Sequence, residues 1–228
     1  IEVTYQNSTS SKSMTQQIED ADFGFDVRYQ INEQFAFGGY WEFDGSKYNN
    51  ASDTENGDTY VALYTQDFGS LKAGRLCTAI DDAGIGNDYQ FGIKSWVDAQ
   101  TFECADEGLR YDYDNGGMVY ATLGYIQNKL EDKADKSGIQ STASQGEDDS
   151  YIDGKLGVRV AAFDFTAYYA DSEVTAENAD YTLLGLEARF GGVENLNLSA
   201  AYYTLDADLN GANGDTDTWA LAADYTLD

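Results

Sequence analysis

Apolar and polar residues alternate one by one along most of this chain, in successive segments of about ten residues. In the segment 22–31, one set of positions holds Phe23, Phe25, Val27, Tyr29 and Ile31, and the other holds Asp22, Gly24, Asp26, Arg28 and Gln30. Successive side chains of a β-strand point to opposite faces, so the pattern predicts strands with one apolar and one polar face. About twelve such segments follow one another, which predicts an all-β protein.

The links between these segments alternate in length. Short links such as "DNGG" and "GVEN" consist largely of the residues that favour tight turns. Long polar links occupy 45–58, the stretch between Cys77 and Cys104, and 128–150. This arrangement predicts an antiparallel up-and-down meander with short turns at one rim and long loops at the other. Outer-membrane barrels have this organisation, and a tilted strand of ten residues can cross a bilayer.

A soluble β-sandwich also alternates apolar and polar residues, and it remains an alternative on the pattern alone. Three features favour the barrel. Charged residues lie in the middle of the polar faces, and no Greek-key crossover is detectable. Aromatic residues lie near strand ends on the apolar faces, where a membrane barrel has its girdles: Phe23, Tyr29, Phe35, Phe43, Trp219 and Tyr225.

Composition excludes several classes of function. The chain has 13 Lys and Arg against 41 Asp and Glu, and its net charge of −28 repels nucleic acid and attracts cations. It has no His, so Ser-His and Cys-His catalysis and His-ligated metals are excluded. Two Cys are too few for a structural zinc site, and no phosphate loop or nucleotide fingerprint is present. We therefore expect no enzyme, no cofactor and no metal site.

A series of short motifs resembles the second to fifth strands of Gram-negative general porins. In order, these are Phe23-Gly24-Phe25, Ile31-Asn32, Trp41-Glu42, Phe68-Gly69 and Gly74-Arg75. The resemblance implies a transmembrane up-and-down β-barrel of the 16-stranded porin type, forming a single domain over residues 1–228. It further implies a homotrimer in the bacterial outer membrane, in contact with lipid and lipopolysaccharide, through which ions and small hydrophilic solutes diffuse. About twelve strands are visible, so either the last four are missing from this sequence, which we expect, or a smaller barrel closes here.

The resemblance also assigns a role to the stretch from Cys77 to Cys104. In porins the loop after the fifth strand folds inward and narrows the channel. We expect 77–104 to be this loop, and the oxidising periplasm favours a disulfide between its two Cys. The usual acidic motif of the family is not recognisable in it. The acidic residues expected at the constriction are Asp81, Asp82, Asp88, Asp98 and Glu103.

The wall facing this loop departs from the family. Porins usually place arginines there, and two matching positions are here Asp22 and Asp58. The other wall candidates are Arg28, Glu42, Lys72, Arg75, Arg110, Lys155, Arg159 and Arg189. A surplus of carboxylates raises the local cation concentration, so we expect a cation-selective pore. Two alternatives stay open: a soluble secreted β-sandwich that binds a partner, and an oligosaccharide channel lined by Tyr40, Tyr60, Tyr64, Tyr120, Tyr168 and Tyr203.

Overall fold

The computed structural model describes residues 2–7, 12–17, 22–44, 55–85, 104–129, 148–174, 179–209 and 211–226. These residues form thirteen β-strands and one short 3-10 turn, Ala79–Asp82. The strands are β1 (Glu2–Asn7), β2 (Lys12–Gln17), β3 (Phe23–Gln30), β4 (Phe35–Asp44), β5 (Glu55–Thr65), β6 (Gly69–Cys77), β7 (Cys104–Asp114), β8 (Val119–Lys129), β9 (Asp148–Val160), β10 (Phe163–Val174), β11 (Ala179–Val193), β12 (Leu196–Leu209) and β13 (Ala212–Tyr225). Within the described part of the chain, no helix has the length and apolar character of a membrane-spanning helix.

Strands β3 to β13 form one antiparallel sheet of 11 strands in which each strand pairs with the next along the chain. The order contains no crossover, so the predicted meander is confirmed and the two-sheet sandwich is wrong. Most of the short hairpin turns lie at one rim, and two of them use non-glycine residues with positive φ, Ala161 (54°) and Asn195 (61°). Ala161 is the first residue of the two-residue turn 161–162, where positive φ matches the right-handed twist of the flanking strands, and Asn195 is the second residue of the turn 194–195. Strands β12 and β13 are also joined closely at the opposite rim, where Leu209 pairs with Ala212.

The first strands differ from the sequence prediction. The chain folds β1 and β2 into a separate two-stranded hairpin, whereas the family resemblance placed only one strand before the strand at 22–31. The segment 12–17, "KSMTQQ", has one large apolar residue, so its strand period was not visible. As a result, the loop between Cys77 and Cys104 follows the sixth strand of the chain, where the sequence predicted the fifth.

The apolar face of the sheet is exposed. Tyr29, Trp219 and Leu221 expose 72%, 73% and 74% of their surface, and the same face carries Phe23, Phe25, Trp41, Leu123, Leu156, Phe165, Leu186 and Tyr225. Neighbouring rings stack on it, as between Phe23 and Phe43, whose centroids are 5.1 Å apart. A soluble protein would leave a continuous apolar patch of this kind uncovered, whereas lipid covers it in a bilayer. We call this side of the sheet the outer face.

The packed core lies on the opposite, inner face. Residues 78–85 run across it and bury Ile80, Ala83 and Ile85 against side chains of β8 to β12, among them Ile126, Tyr151, Leu183 and Tyr203. Close approach requires a glycine in the wall: a Cβ at Gly124 would lie 2.3 Å from Thr78 Cβ. The start of the cysteine-bounded stretch therefore folds onto the inner face, as expected for an inward loop.

Candidate functional site

Residues 78–85, which cross the inner face, are called the inward segment. The buried carboxylate of Asp153, on β9, holds the start of this segment. Its Oδ2 accepts hydrogen bonds from the Thr78 hydroxyl and from the backbone N–H of Ile80, both at 2.7 Å. Asp153 is 2% exposed and Thr78 is fully buried. Buried donors need a partner inside the protein, so this carboxylate fixes where the segment leaves β6.

A second buried carboxylate, Glu187 on β11, holds the far end of the segment. The backbone N–H of Gly84 donates to Glu187 Oε1 at 2.6 Å and to the Tyr203 hydroxyl at 2.9 Å. Tyr203 also donates to Glu187, and Arg189 donates to the Gly84 carbonyl at 3.0 Å. The main chain of the segment is thus fixed at both ends by side chains from the strands of one sheet.

Between these ends, Asp82 lies in a cluster of basic side chains. Arg110 Nη2 and Lys155 Nζ each lie 2.6 Å from Asp82 Oδ2. Arg110 also donates to the carbonyls of Cys77 (3.1 Å) and Thr78 (2.9 Å). These contacts neutralise the charge of Asp82 and draw the segment onto β7 and β9.

The disulfide between Cys77 and Cys104 is present, as predicted. The two residues are register partners at the end of β6 and the start of β7. The bond therefore closes the base of the stretch at the rim of the sheet, while Asp153 and Glu187 fix the part that crosses the inner face.

Replacing Cys77 and Cys104 with serine is expected to lower the free energy of unfolding by about 3 kcal/mol. The bond joins residues 27 positions apart, and its loss returns conformational freedom to the unfolded chain. Urea unfolding in detergent, followed by tryptophan fluorescence, measures the change. A thiol reductant should lower the urea midpoint of the unmodified protein as much as the double serine substitution does. The prediction would be contradicted if neither the reduced protein nor the serine variant had a lower midpoint than the oxidised, unmodified protein.

The predicted constriction residues are only partly within the described residues. Asp81 and Asp82 lie in the 3-10 turn on the inner face. Asp88, Asp98 and Glu103 lie outside the described residues. Their expected role at a constriction stays a prediction.

Most predicted wall residues lie on the inner face. Lys72 is the register partner of Arg110, and Asp164 lies between Arg159 and Arg189 in one cross-strand row. Arg28, Glu42 and Asp58 share this face on β3, β4 and β5, and Asp22 directly precedes β3. Arg75 does not join the row of Lys72: it lies opposite Thr59 and pairs with Asp106 at 3.1 Å, beside an irregularity in the β6–β7 register.

Sequence reasoning missed the residues that hold the segment in place, Asp153 and Glu187. Each is a single acidic residue within an alternating strand, a pattern shared by many exposed carboxylates of this chain. The glycine at position 124, on the neighbouring strand opposite Asp153, marks the close approach. The sequence alone does not show that this glycine faces Asp153, because that requires the register of β8 and β9.

Comparison with known proteins now decides the family. A family model described as Gram-negative porin matches residues 1–228. The chain belongs to the Gram-negative porin family. Its place is therefore the bacterial outer membrane.

Known porins resemble this chain in sequence and in fold. Porin-like protein H of Photobacterium profundum is 28% identical over 181 residues, covering 71% of this chain and 49% of that protein. Outer membrane porin C 2 of Shigella flexneri is 27% identical over 140 residues, covering 56% and 38%. This porin thus spans about half the length, or less, of the curated relatives it matches.

A solved anion-selective porin from Comamonas acidovorans shares the fold, with a TM-score of 0.66 and 16% identity over 93% of this chain and 66% of that one. A loop-deletion mutant of OmpT, an outer membrane protein of Vibrio cholerae, has a TM-score of 0.59 at 18% identity, covering 99% and 85%. At these identities the likeness concerns the fold alone.

The basic side chains of this porin are paired with carboxylates. All seven Lys and Arg residues whose side chains are described take part in salt bridges: Arg28 with Asp26, Lys72 with Asp112, Arg75 with Asp106, Arg110 and Lys155 with Asp82, Arg159 with Asp114, and Arg189 with Glu187. Among the described residues, Glu42 and Asp58 have no such partner. Glu42 instead accepts hydrogen bonds from the Tyr40 hydroxyl (2.8 Å) and the Asp58 backbone N–H (3.1 Å).

The tyrosines of the inner face fall into two groups. Tyr40 and Tyr60 form a ring pair with centroids 5.5 Å apart, and Arg28 lies over the ring of Tyr64 at 4.1 Å. The other three are buried beneath the inward segment or against the wall: Tyr120 (9% exposed), Tyr168 (4%) and Tyr203 (0%). The buried group cannot touch a passing solute, so the track of six tyrosines that an oligosaccharide channel would need is interrupted.

Proposed function

We propose that this porin is a passive diffusion channel for ions and small hydrophilic solutes, and that it favours cations. The observation that carries the proposal is the pairing pattern of the inner face. Each described basic side chain forms a salt bridge with a carboxylate, whereas Glu42 and Asp58 form no salt bridge with a base among the described residues. The net field in the lumen is then negative.

Paired and unpaired charges act differently on a passing ion. A salt bridge presents a dipole whose field falls off quickly, while an isolated carboxylate attracts cations over about 8–10 Å at physiological salt. Glu42 and Asp58 lie on the inner face of β4 and β5, where the Asp58 backbone N–H donates to Glu42. A cation passing between segment and wall meets this unpaired acidic patch.

Side chains rather than fold must set the selectivity. The Comamonas porin shares the fold and is described as anion-selective. We further propose a barrel of sixteen strands, a homotrimer in contact with lipid and lipopolysaccharide, and a constriction formed by the whole of 77–104 with Asp88, Asp98 and Glu103. The match to the Gram-negative porin family supports the barrel and its place in the outer membrane.

Reconstitution into a planar bilayer tests the proposal. In a gradient of potassium chloride, we expect single-channel steps whose reversal potential lies on the potassium side of zero. Zero potential or a potential on the chloride side would overturn the cation preference, and the absence of conductance would overturn the channel.

Adding a linear oligosaccharide tests the alternative function, a channel specific for oligosaccharides, because the partly exposed group of Tyr40, Tyr60 and Tyr64 offers a short stacking surface. Block by micromolar sugar would favour that alternative over an unspecific pore.

A further inference from the structure

Three potential metal ligands meet at the base of the inward segment. Cys77 ends β6, Cys104 starts β7, and Asp81 returns to them through the 3-10 turn. The two Sγ atoms and a carboxylate oxygen of Asp81 all lie within 4.8 Å of one another, and all three residues are partly exposed. From the sequence, two cysteines were too few to predict a metal site. The 3-10 turn brings Asp81 to them as a third possible ligand.

We propose that these residues form a redox-controlled site for a thiophilic divalent cation such as Zn²⁺ or Cd²⁺. In the disulfide form the sulfur atoms carry no charge and bind no metal. A dithiol reductant supplies two electrons and two protons, the S–S bond breaks into two thiols, and the reductant is oxidised to its own disulfide. The cation then displaces the two thiol protons and binds two thiolates and the Asp81 carboxylate.

The geometry needs only small adjustments to hold the ion. Tetrahedral zinc has Zn–S distances of about 2.3 Å and Zn–O distances of about 2.0 Å, which place neighbouring ligand atoms about 3.5–3.8 Å apart. That separation falls within the 4.8 Å that already encloses the three ligand atoms. Three protein ligands leave a fourth position for water.

The surroundings also favour the site. Arg110 donates to the Cys77 carbonyl at 3.1 Å and so holds the backbone of this ligand in place. The net charge of −28 raises the concentration of cations near the protein. A bound ion would join β6, β7 and the 3-10 turn, and would close the base of the segment where the disulfide otherwise does.

Cadmium titration of the folded protein tests the proposal. The protein is folded in detergent, reduced with dithiothreitol, freed of reductant without oxygen, and titrated with Cd²⁺ while the thiolate-to-cadmium charge-transfer absorbance is recorded. We expect a single Cd²⁺ per chain in the reduced protein and no charge-transfer band in the oxidised protein. Asp81→Asn should weaken Cd²⁺ binding by about tenfold or more, since losing a ligand costs no less than losing an outer-shell partner.

The matched control is Asp106→Asn, which removes a nearby carboxylate that pairs with Arg75 and should leave Cd²⁺ affinity unchanged. Binding by the reduced protein no tighter than by Cys77→Ser/Cys104→Ser would overturn the site. Equal affinity of Asp81→Asn and the unmodified protein would overturn the ligand set. Asp81→Asn keeps the disulfide, so it can be checked for folding before reduction. The readout involves no conductance, so its failure is distinguishable from failure of the channel proposal.

Discussion

Replacing Asp153 with alanine should produce a channel that closes spontaneously at voltages at which the unmodified channel stays open. The substitution removes the acceptor that two buried donors share, the Thr78 hydroxyl and the Ile80 N–H. Each buried group that loses its partner costs about 1–3 kcal/mol, which is enough to populate states in which the segment leaves the wall. The disulfide still ties the base of the stretch, so a released segment stays within the lumen and obstructs it. Single-channel recording in planar bilayers measures the closures.

Two control variants separate a lost anchor from a lost charge. Asp153→Asn removes the charge and keeps an oxygen that can accept both hydrogen bonds, so it should close far less often than Asp153→Ala. Asp171→Ala removes an exposed carboxylate from the neighbouring strand β10 and should behave as the unmodified protein. Equal closing rates in Asp153→Ala and Asp171→Ala would show that Asp153 does not hold the segment.

The architecture could be predicted because one rule decides it. Strict alternation over ten residues, as in 22–31, leaves a strand with one apolar face as the only regular structure that fits. The aromatic residues on the apolar faces then favoured the barrel over the sandwich. Trp219 and Tyr225 are exposed on the outer face, although only Tyr225 ends its strand and Trp219 lies in the middle of β13. The rule fails for β2, Lys12–Gln17, because that strand has almost no apolar side chains.

The candidate site could be predicted only in part, for a different physical reason. The disulfide could be predicted, because the chain has only two cysteines and they bound one long loop. In the structure they lie at facing strand ends. The residues that hold the segment could not be predicted. Asp153 accepts a hydrogen bond from Ile80, 73 residues away in the chain, and Glu187 accepts one from Gly84, 103 residues away. Such contacts depend on the register of several strands at once, which the local sequence pattern does not contain.

The same limit applies to the charges of the wall. The sequence shows how many acids and bases alternate inward, and it predicted a weakened basic wall. It does not show that two bases, Arg110 and Lys155, pair with Asp82, or that Glu42 and Asp58 form no salt bridge among the described residues. If the pore favours cations as proposed, we expect the residues of β4 and β5 to contribute more to selectivity than Asp82, which the sequence placed at the constriction.

Replacing Glu42 with glutamine and Asp58 with asparagine in one protein should therefore lower the cation-to-anion permeability ratio by about threefold or more. At about 7 Å in water a unit charge acts on an ion with about 0.6 kcal/mol, close to RT, and salt screens part of this. Both substitutions keep the size of the side chain, and the amide oxygen that Glu42→Gln introduces can still accept the hydrogen bonds from Tyr40 and the Asp58 backbone. The reversal potential in a potassium chloride gradient measures the ratio.

The control for that experiment is Asp180→Asn, which removes an exposed carboxylate that lies opposite Glu173 and Asp208 and alternates with the inward positions of β11. Its charge points away from the lumen, so its reversal potential should match that of the unmodified protein. A shift as large as that of the double variant would mean that selectivity follows the total charge of the protein. An unchanged potential in the double variant would mean that the unpaired carboxylates of β4 and β5 do not meet the ion, and that the preference arises elsewhere in the lumen.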